Sequence, residues 1–295
     1  MVTYRTPSRT IFEILNYTGF VIFGLAIVIP FVHVIAISLS SGRAIAQNEV
    51  LFWPVEFYPQ AYKTIVTSPV FITSMANTVF VSLAGTAVTM AVALCAGYAL
   101  ANKRFPFPRL GMVLILIPMY FSGGLIPFYV VVNKYGLNNT IFALIFPYVV
   151  NIFYILVFKN VIRGMPEELM QSAEIDGASE PRILFSIVLP IILPTIMAFT
   201  IFTAVGFWNS WFSVLIFVRD QSKWMLQYML RDLYMSPQFT GTTAGGGMAA
   251  DDPANLHPMN IMFAALICTI APIIVIYPFL QRYLIHGIIV GAVKG

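Results

Sequence analysis

A single polar run, Met165-Pro166-Glu167-Glu168-Leu169-Met170-Gln171-Ser172-Ala173-Glu174-Ile175-Asp176-Gly177-Ala178-Ser179-Glu180, separates two long apolar stretches, and Ile187-Val188-Leu189-Pro190 follows it. These side chains supply no paired nucleophile and base and no metal cluster, so the chemistry open to them is recognition by a shaped, charged surface. Pro166 suits the first turn of a helix, Glu167 and Glu168 complement that helix's positive end, and Gly177 is the expected left-handed stop after Asp176. Ser179 stands where it caps a second helix, with Glu180 and Pro181 in the opening turn. A short helix, a glycine turn and a second helix, held outside a bilayer, make a rigid knob.

The usual signatures of catalysis are missing elsewhere. His33, His257 and His286 are scattered, and no His-Glu-x-x-His helix is present to hold a zinc ion. No lysine follows a glycine, so there is no Gly-x-x-x-x-Gly-Lys-Ser/Thr phosphate loop, and any ATP hydrolysis belongs to another chain. Cys95 and Cys268 fall within apolar stretches and behave as small hydrophobes. The expected catalytic and metal sets are therefore empty. A net charge of +4 with the basic residues spread through short loops gives nucleic-acid binding no support.

The elements that position the knob follow from composition. Of the 295 residues 59% are hydrophobic and 9% charged, and the mean hydropathy is +0.85. Soluble domains average about 45–50% apolar and about 25% charged residues, so this is an integral membrane protein. Six apolar segments, about 14–39, 76–101, 110–132, 140–158, 187–217 and 259–281, each reach the roughly 20 residues that a crossing helix needs. The run from Ile11 to Leu39 exceeds the about 7–15 residues of a signal-peptide core, so it is expected to remain as the first span. The expected domain is one polytopic unit over 1–295, with loop 159–186 carrying the knob and loop 218–258 on the opposite side.

Lys and Arg set the orientation. With the N-terminus inside, Arg5, Arg9, Lys103, Arg104, Arg109, Lys159, Arg163, Arg182, Arg282 and Lys294 are cytoplasmic, and Arg43, Lys63, Lys134, Arg219, Lys223 and Arg231 lie outside. The knob between spans four and five then faces the cytoplasm, and both termini do too. Proline recurs inside the spans, as Pro118, Pro127, Pro147, Pro190, Pro194, Pro272 and Pro278, and bends helices that line a cavity or pack on neighbours. His33 is the clearest ionisable group within a span and is expected to hydrogen-bond to a neighbouring helix. With so few intramembrane charges the chain has little with which to couple a proton or sodium gradient. What the spans offer is neutral polarity beside aromatic rings: Tyr120, Asn151, Tyr154, Trp208, Asn209 and Trp211, a mixture that suits weak contact with a carbohydrate in transit.

The 165–190 region resembles the cytoplasmic "EAA" loop in the membrane subunits of ABC importers, in which Glu-Ala-Ala is followed by Asp-Gly-Ala and later by Ile-x-Leu-Pro. Gln171-Ser172-Ala173 stands in place of Glu-Ala-Ala, while Asp176-Gly177-Ala178 and Leu189-Pro190 match. The likeness to carbohydrate importer permeases extends over the whole chain. It is carried by Leu51-Phe52-Trp53-Pro54, Tyr62-Lys63-Thr64-Ile65, Asn77-Thr78 and the terminal Gln281-Arg282-Tyr283-Leu284, Gly287 and Gly291-Ala292-Val293-Lys294-Gly295. The stretch Tyr120-Phe121-Ser122-Gly123-Gly124-Leu125-Ile126-Pro127 with Gly136-Leu137-Asn138-Asn139-Thr140 is similar to the subgroup that imports alginate and pectin fragments.

The resemblance implies an all-α fold of six transmembrane helices of the type I importer kind, in the bacterial cytoplasmic membrane. It implies a homologous second permease, two ATPase subunits that bind ATP and magnesium, an extracytoplasmic solute-binding protein and an oligosaccharide cargo. Glu168, Gln171, Ser172, Ala173, Asp176, Gly177, Ala178, Leu189 and Pro190 are then expected at the ATPase coupling loop. Gly245, Gly246, Gly247 and Asp251 of the outer loop are expected to touch the binding protein. The competing class is a self-sufficient secondary carrier or channel.

Overall fold

The computed structural model describes residues 7–102, 104–235 and 256–292, with side chains through 278. Arg5, Lys103, Lys294 and the glycine-rich stretch containing Gly245, Gly246, Gly247 and Asp251 lie outside the described residues. Helices and short 3-10 turns make up all the regular structure that is described. In order the helices are α1 (Pro7–Ser38), α2 (Gly42–Ala46), α3 (Gln60–Thr67), α4 (Pro69–Ala101), α5 (Pro108–Tyr120), α6 (Leu125–Lys134), α7 (Ile152–Arg163), α8 (Glu167–Ile175), α9 (Glu180–Ile183), α10 (Leu189–Trp208), α11 (Phe212–Phe217), α12 (Leu226–Met235) and α13 (Pro258–Ala292).

Among the described residues four helical stretches are long and apolar enough to cross a membrane: Pro7–Ser38, Pro69–Ala101, Glu180–Trp208 and Pro258–Pro278. Two bent pairs, Pro108–Tyr120 with Leu125–Lys134 and Ile141–Tyr148 with Ile152–Arg163, bring the number to six if each pair is one crossing. The first pair turns through 118° at residues 121–124, where Gly124 has φ +81°. The sequence suggested a proline-bent span over 110–132. The sharper break arises because Ser122-Gly123-Gly124 lets the backbone leave the helical region, and Pro127 falls in the first turn of α6 after it. The second pair bends by 46° around Asn151, whose side-chain oxygen accepts the Tyr154 N–H and opens α7.

Proximity of backbone divides the chain into two compact units, Met1–Pro69 with Asp232–Ala271, and Val70–Arg231 with Pro272–Gly295. In the first unit a small core of Ala36, Ile37, Ala44, Ile45 and Val50 is packed by Val55 and Phe263. Asn260 is fully buried there and donates both amide protons, to the carbonyls of Ile37 and Ser40 at 2.7 Å each, which satisfies the orphan carbonyls where α1 ends. His33 donates from Nδ1 to the Leu51 carbonyl at 2.6 Å; the expected partner was a helix, and the observed one belongs to the segment after α2. Much of α1 carries bare apolar side chains, such as Phe12, Phe20 and Phe23, a surface that only lipid or another apolar protein can cover.

Among the described residues the second unit holds two cores. One joins the end of α4 to α7, Ala173 of α8 and the start of the α9–α10 helix, through Leu94, Ile155, Phe158, Ile162, Ile183 and Val188. Gly97 permits this crossing, because a Cβ there would meet Phe158 Cβ at 3.0 Å and the Ile155 carbonyl oxygen at 3.1 Å. The other core gathers Val81, Leu144, Phe207, Val214, Phe217 and Met225.

Candidate functional site

The knob begins where α7 ends at Arg163. Pro166 takes the N-cap of α8, one position earlier than the sequence suggested, and Glu167 and Glu168 fill the first turn against the positive helix end. Asp176 closes α8, and Gly177 follows with φ +76°. The Gly177 N–H bonds to the Glu174 carbonyl at 3.0 Å and the Ala178 N–H to the Ala173 carbonyl at 2.9 Å, so the left-handed residue satisfies the last carbonyls of the helix. Ser179 occupies the N-cap of α9 in an extended conformation, yet its side chain makes no capping bond.

From α9 the helix continues without a gap through a π turn, Leu184–Val188, into α10. The Leu189 N–H reaches back to the Leu184 carbonyl, and Pro190 follows with no N–H to offer, so the wide turn relieves the ring just where a regular helix would crowd it. Leu189 and Pro190 thereby join the knob to a membrane-length helix.

The two faces of α8 differ. Ala173 is buried, and Met170 and Ala178 pack on the same core. Glu168, Leu169, Ser172, Ile175 and Asp176 are exposed, with Ile175 at 86% and Leu169 at 45%. Two large apolar side chains are thus presented among carboxylates on a short polar helix.

Behind that face the knob is tied to the end of α4. Tyr98 donates from its hydroxyl to Glu180 Oε2 at 2.5 Å, and Asn102 Nδ2 donates to Glu180 Oε1 at 3.3 Å. Arg104 pairs with Glu174 at 2.7 Å, and Arg163 donates to the Leu100 carbonyl at 3.1 Å. These links cross 63 to 82 positions of sequence. They enclose a cavity of about 430 Å³ whose lining includes Gln171, Glu167 and Glu174 beside Met165, Met170 and Ile183. Gln171, which stands where the resembled motif has glutamate, is exposed on α8 and lines this cavity. Tyr98, Asn102, Arg104, Glu174 and Glu180 form the tie, and sequence reading assigned none of them to the site; their own neighbours in sequence carry no trace of the partner.

A second cavity, of about 250 Å³, lies among α4, α7, α10 and the residues before α11. Asn151 and Tyr154 line it, together with Thr89, Tyr148, Thr203, Ser210 and Ser213 and the apolar Phe202, Gly206 and Phe207. Its lining is hydroxyls, one amide and aromatic rings, with no charged side chain. The other path candidates lie elsewhere. Tyr120 is 75% exposed at the end of α5, and Trp208 is buried with its indole N–H lacking a partner. Asn209 caps α10 and accepts from Gln227 at 3.1 Å, and Trp211 lies under the Arg231 guanidinium at 4.6 Å. Thr89, Tyr148 and Ser213 were missed because isolated hydroxyls in apolar runs give no periodic signal. Among the described residues no group of three or more His, Cys, Asp or Glu is placed to hold a metal ion.

Comparison with known proteins adds an independent finding. Residues 2–290 match the family described as binding-protein-dependent transport system inner membrane component. The chain is 34% identical over 292 residues to Protein LplC of Bacillus subtilis (strain 168), covering 99% of this chain and 98% of that one. It is 32% identical to the polygalacturonan/rhamnogalacturonan transport system permease protein YtcP of the same organism, over 98% of this chain and all of that one. Among solved structures, a chain of a bacterial ABC transporter involved in the import of the acidic polysaccharide alginate superposes with a TM-score of 0.87 at 26% identity, over 96% of this chain and 99% of that chain.

Proposed function

From the premise that the chain belongs to the binding-protein-dependent transport system inner membrane component family, as a multi-pass permease subunit of a bacterial sugar or oligosaccharide ABC importer, we propose that it forms half of a path for acidic oligosaccharides driven by a separate ATPase. The single observation that carries the coupling is the two-faced α8: Ile175 and Leu169 are exposed, while Ala173 is buried in the core and Glu174 pairs with Arg104 just beyond α4. In this reading the exposed face seats in an ATPase subunit on the cytoplasmic side. Closure of the ATPases then moves α8, and the tie hands that motion to α4 and α10.

A homologous permease completes the path, and a binding protein delivers cargo on the outer side. Alternation between inward-open and outward-open forms follows from the bent helices swinging as units. Solute passes along the neutral cavity lined by Asn151 and Tyr154, which offers hydroxyl and aromatic contacts too weak to trap it. Acidic cargo is supported by the names of two similar proteins, which specify polygalacturonan or rhamnogalacturonan and alginate.

The test is Asp176→Leu in the full complex. We expect ATP hydrolysis to continue without sugar uptake, or the ATPase to be lost on copurification. Normal uptake together with normal copurification would remove the coupling assignment.

A further inference from the structure

The neutrality of the solute cavity raises a physical question for an acidic cargo. A uronate carboxylate entering it meets hydroxyls and rings and no cation, so nothing inside the cavity distinguishes it from a neutral sugar. Charge must be read elsewhere. Asn209 and Trp211 are outside the cavity lining but are the immediate sequence neighbours of Ser210, which lines it. Over Trp211 lies Arg231 of α12, its guanidinium carbon 4.6 Å from the ring centroid.

That stacking has a specific consequence. An ion pair would neutralise Arg231, whereas an aromatic face holds the guanidinium flat and leaves its charge and the edges of its fork available. Among the described residues Arg231 takes part in no ion pair, although Lys223 in the same segment is paired with Asp220 at 3.0 Å. Asn209 is exposed and is engaged by Gln227 through its oxygen, which leaves its NH2 group for another acceptor. A planar cation, a partly exposed indole and a free amide within one turn and one helix match the parts of a uronate: the carboxylate, the C–H face of the ring and a hydroxyl.

We propose that Arg231, stacked on Trp211 and assisted by Asn209, forms a carboxylate-reading lip that receives the uronate group of an acidic oligosaccharide before the chain enters the neutral cavity. The inference rests on the permease reading above and extends it to where charge is selected. It separates two roles. Arg231 acts on charged cargo alone, while Asn151 and Tyr154 act on any saccharide that passes.

The experiment uses the complete importer in proteoliposomes with its binding protein, offering trigalacturonate and its carboxyl-reduced, neutral trisaccharide. Arg231→Gln is expected to lower the uptake rate of the acidic trimer about tenfold, as loss of one bidentate charge-assisted contact does. Arg231→Lys should restore part of it, because a point charge replaces the fork. Uptake of the neutral trimer and ATP hydrolysis stimulated by the binding protein should stay within about twofold of wild type, since neither draws on a carboxylate contact. Asn151→Ala should slow both sugars alike. Unchanged uptake of the acidic trimer in Arg231→Gln overturns the proposal, and so does a parallel fall in stimulated ATP hydrolysis, which would make Arg231 only a staple for α12. If the wild-type importer carries the neutral trimer and refuses the acidic one, the lip is wrong and the permease reading stands; if it carries neither, both fall.

Discussion

Gly177 shows what one residue contributes. Its φ of +76° is open to glycine at no cost and to an L-residue with a Cβ at about 1–2 kcal/mol. No atom stands within 4 Å of where that Cβ would go, so the penalty is conformational and not steric. Gly177→Asn should therefore retain the turn, since asparagine tolerates this region, whereas Gly177→Val should loosen the knob. Limited proteolysis of the purified complex at 164–180 checks this, with faster cleavage in the valine variant alone. Glu180 makes a different contribution, holding Tyr98 and Asn102 at once. Glu180→Ala removes both links and should raise the ATP hydrolysed per sugar imported severalfold while the ATPase still copurifies. Tyr98→Phe, which leaves the Asn102 link, should show a smaller effect of the same sign.

At the scale of elements, the proposed coupling of the knob to the membrane helices runs through the close approach of α4 and α7. Gly97 is the residue that permits it, and the atoms that a side chain would meet include the backbone of Ile155 and Lys159, which cannot rotate aside. Gly97→Leu should cost about 1–3 kcal/mol by overpacking and force the helices apart. A lower midpoint of thermal aggregation in detergent, together with uncoupled ATP hydrolysis, is the expected pair of readouts. A fall in stability with intact coupling would mean that the tie acts without this crossing. The break at 121–124 illustrates the opposite design, a place where the backbone is released. With Gly124 at φ +81° and nothing packed near it, α5 and α6 turn through 118° instead of continuing as one rod.

For the whole molecule, the exposed apolar surface of α1 and the uncharged lining of the second cavity both fit the proposed role as a subunit. The cavity is lined by no carboxylate, histidine, lysine or arginine of the kind that binds a coupling ion, and Ile175 of α8 is exposed. The purified chain alone in liposomes should give oligosaccharide flux no greater than protein-free vesicles, and adding the partner permease and the ATPase should be required for ATP-driven uptake. Flux through the single chain would favour a self-sufficient carrier or channel.

Sequence by itself determined what depends on neighbours along the chain. The apolar runs mark the crossing helices because a bilayer demands about 20 residues without charge. The knob was legible because caps, a left-handed glycine and proline act within a few residues of one another. Helix ends were less so: α1 begins at Pro7 and α4 at Pro69, seven residues before the apolar segments drawn at 14 and 76, because backbone hydrogen bonding continues beyond the hydrocarbon. Only the tertiary structure decided which polar groups meet. Glu180 finds Tyr98 across 82 positions and Glu174 finds Arg104 across 70, and Arg231 lies on Trp211. Such pairs are chosen by the packing of helices whose own periodicities say which face is apolar and nothing about which partner that face will meet.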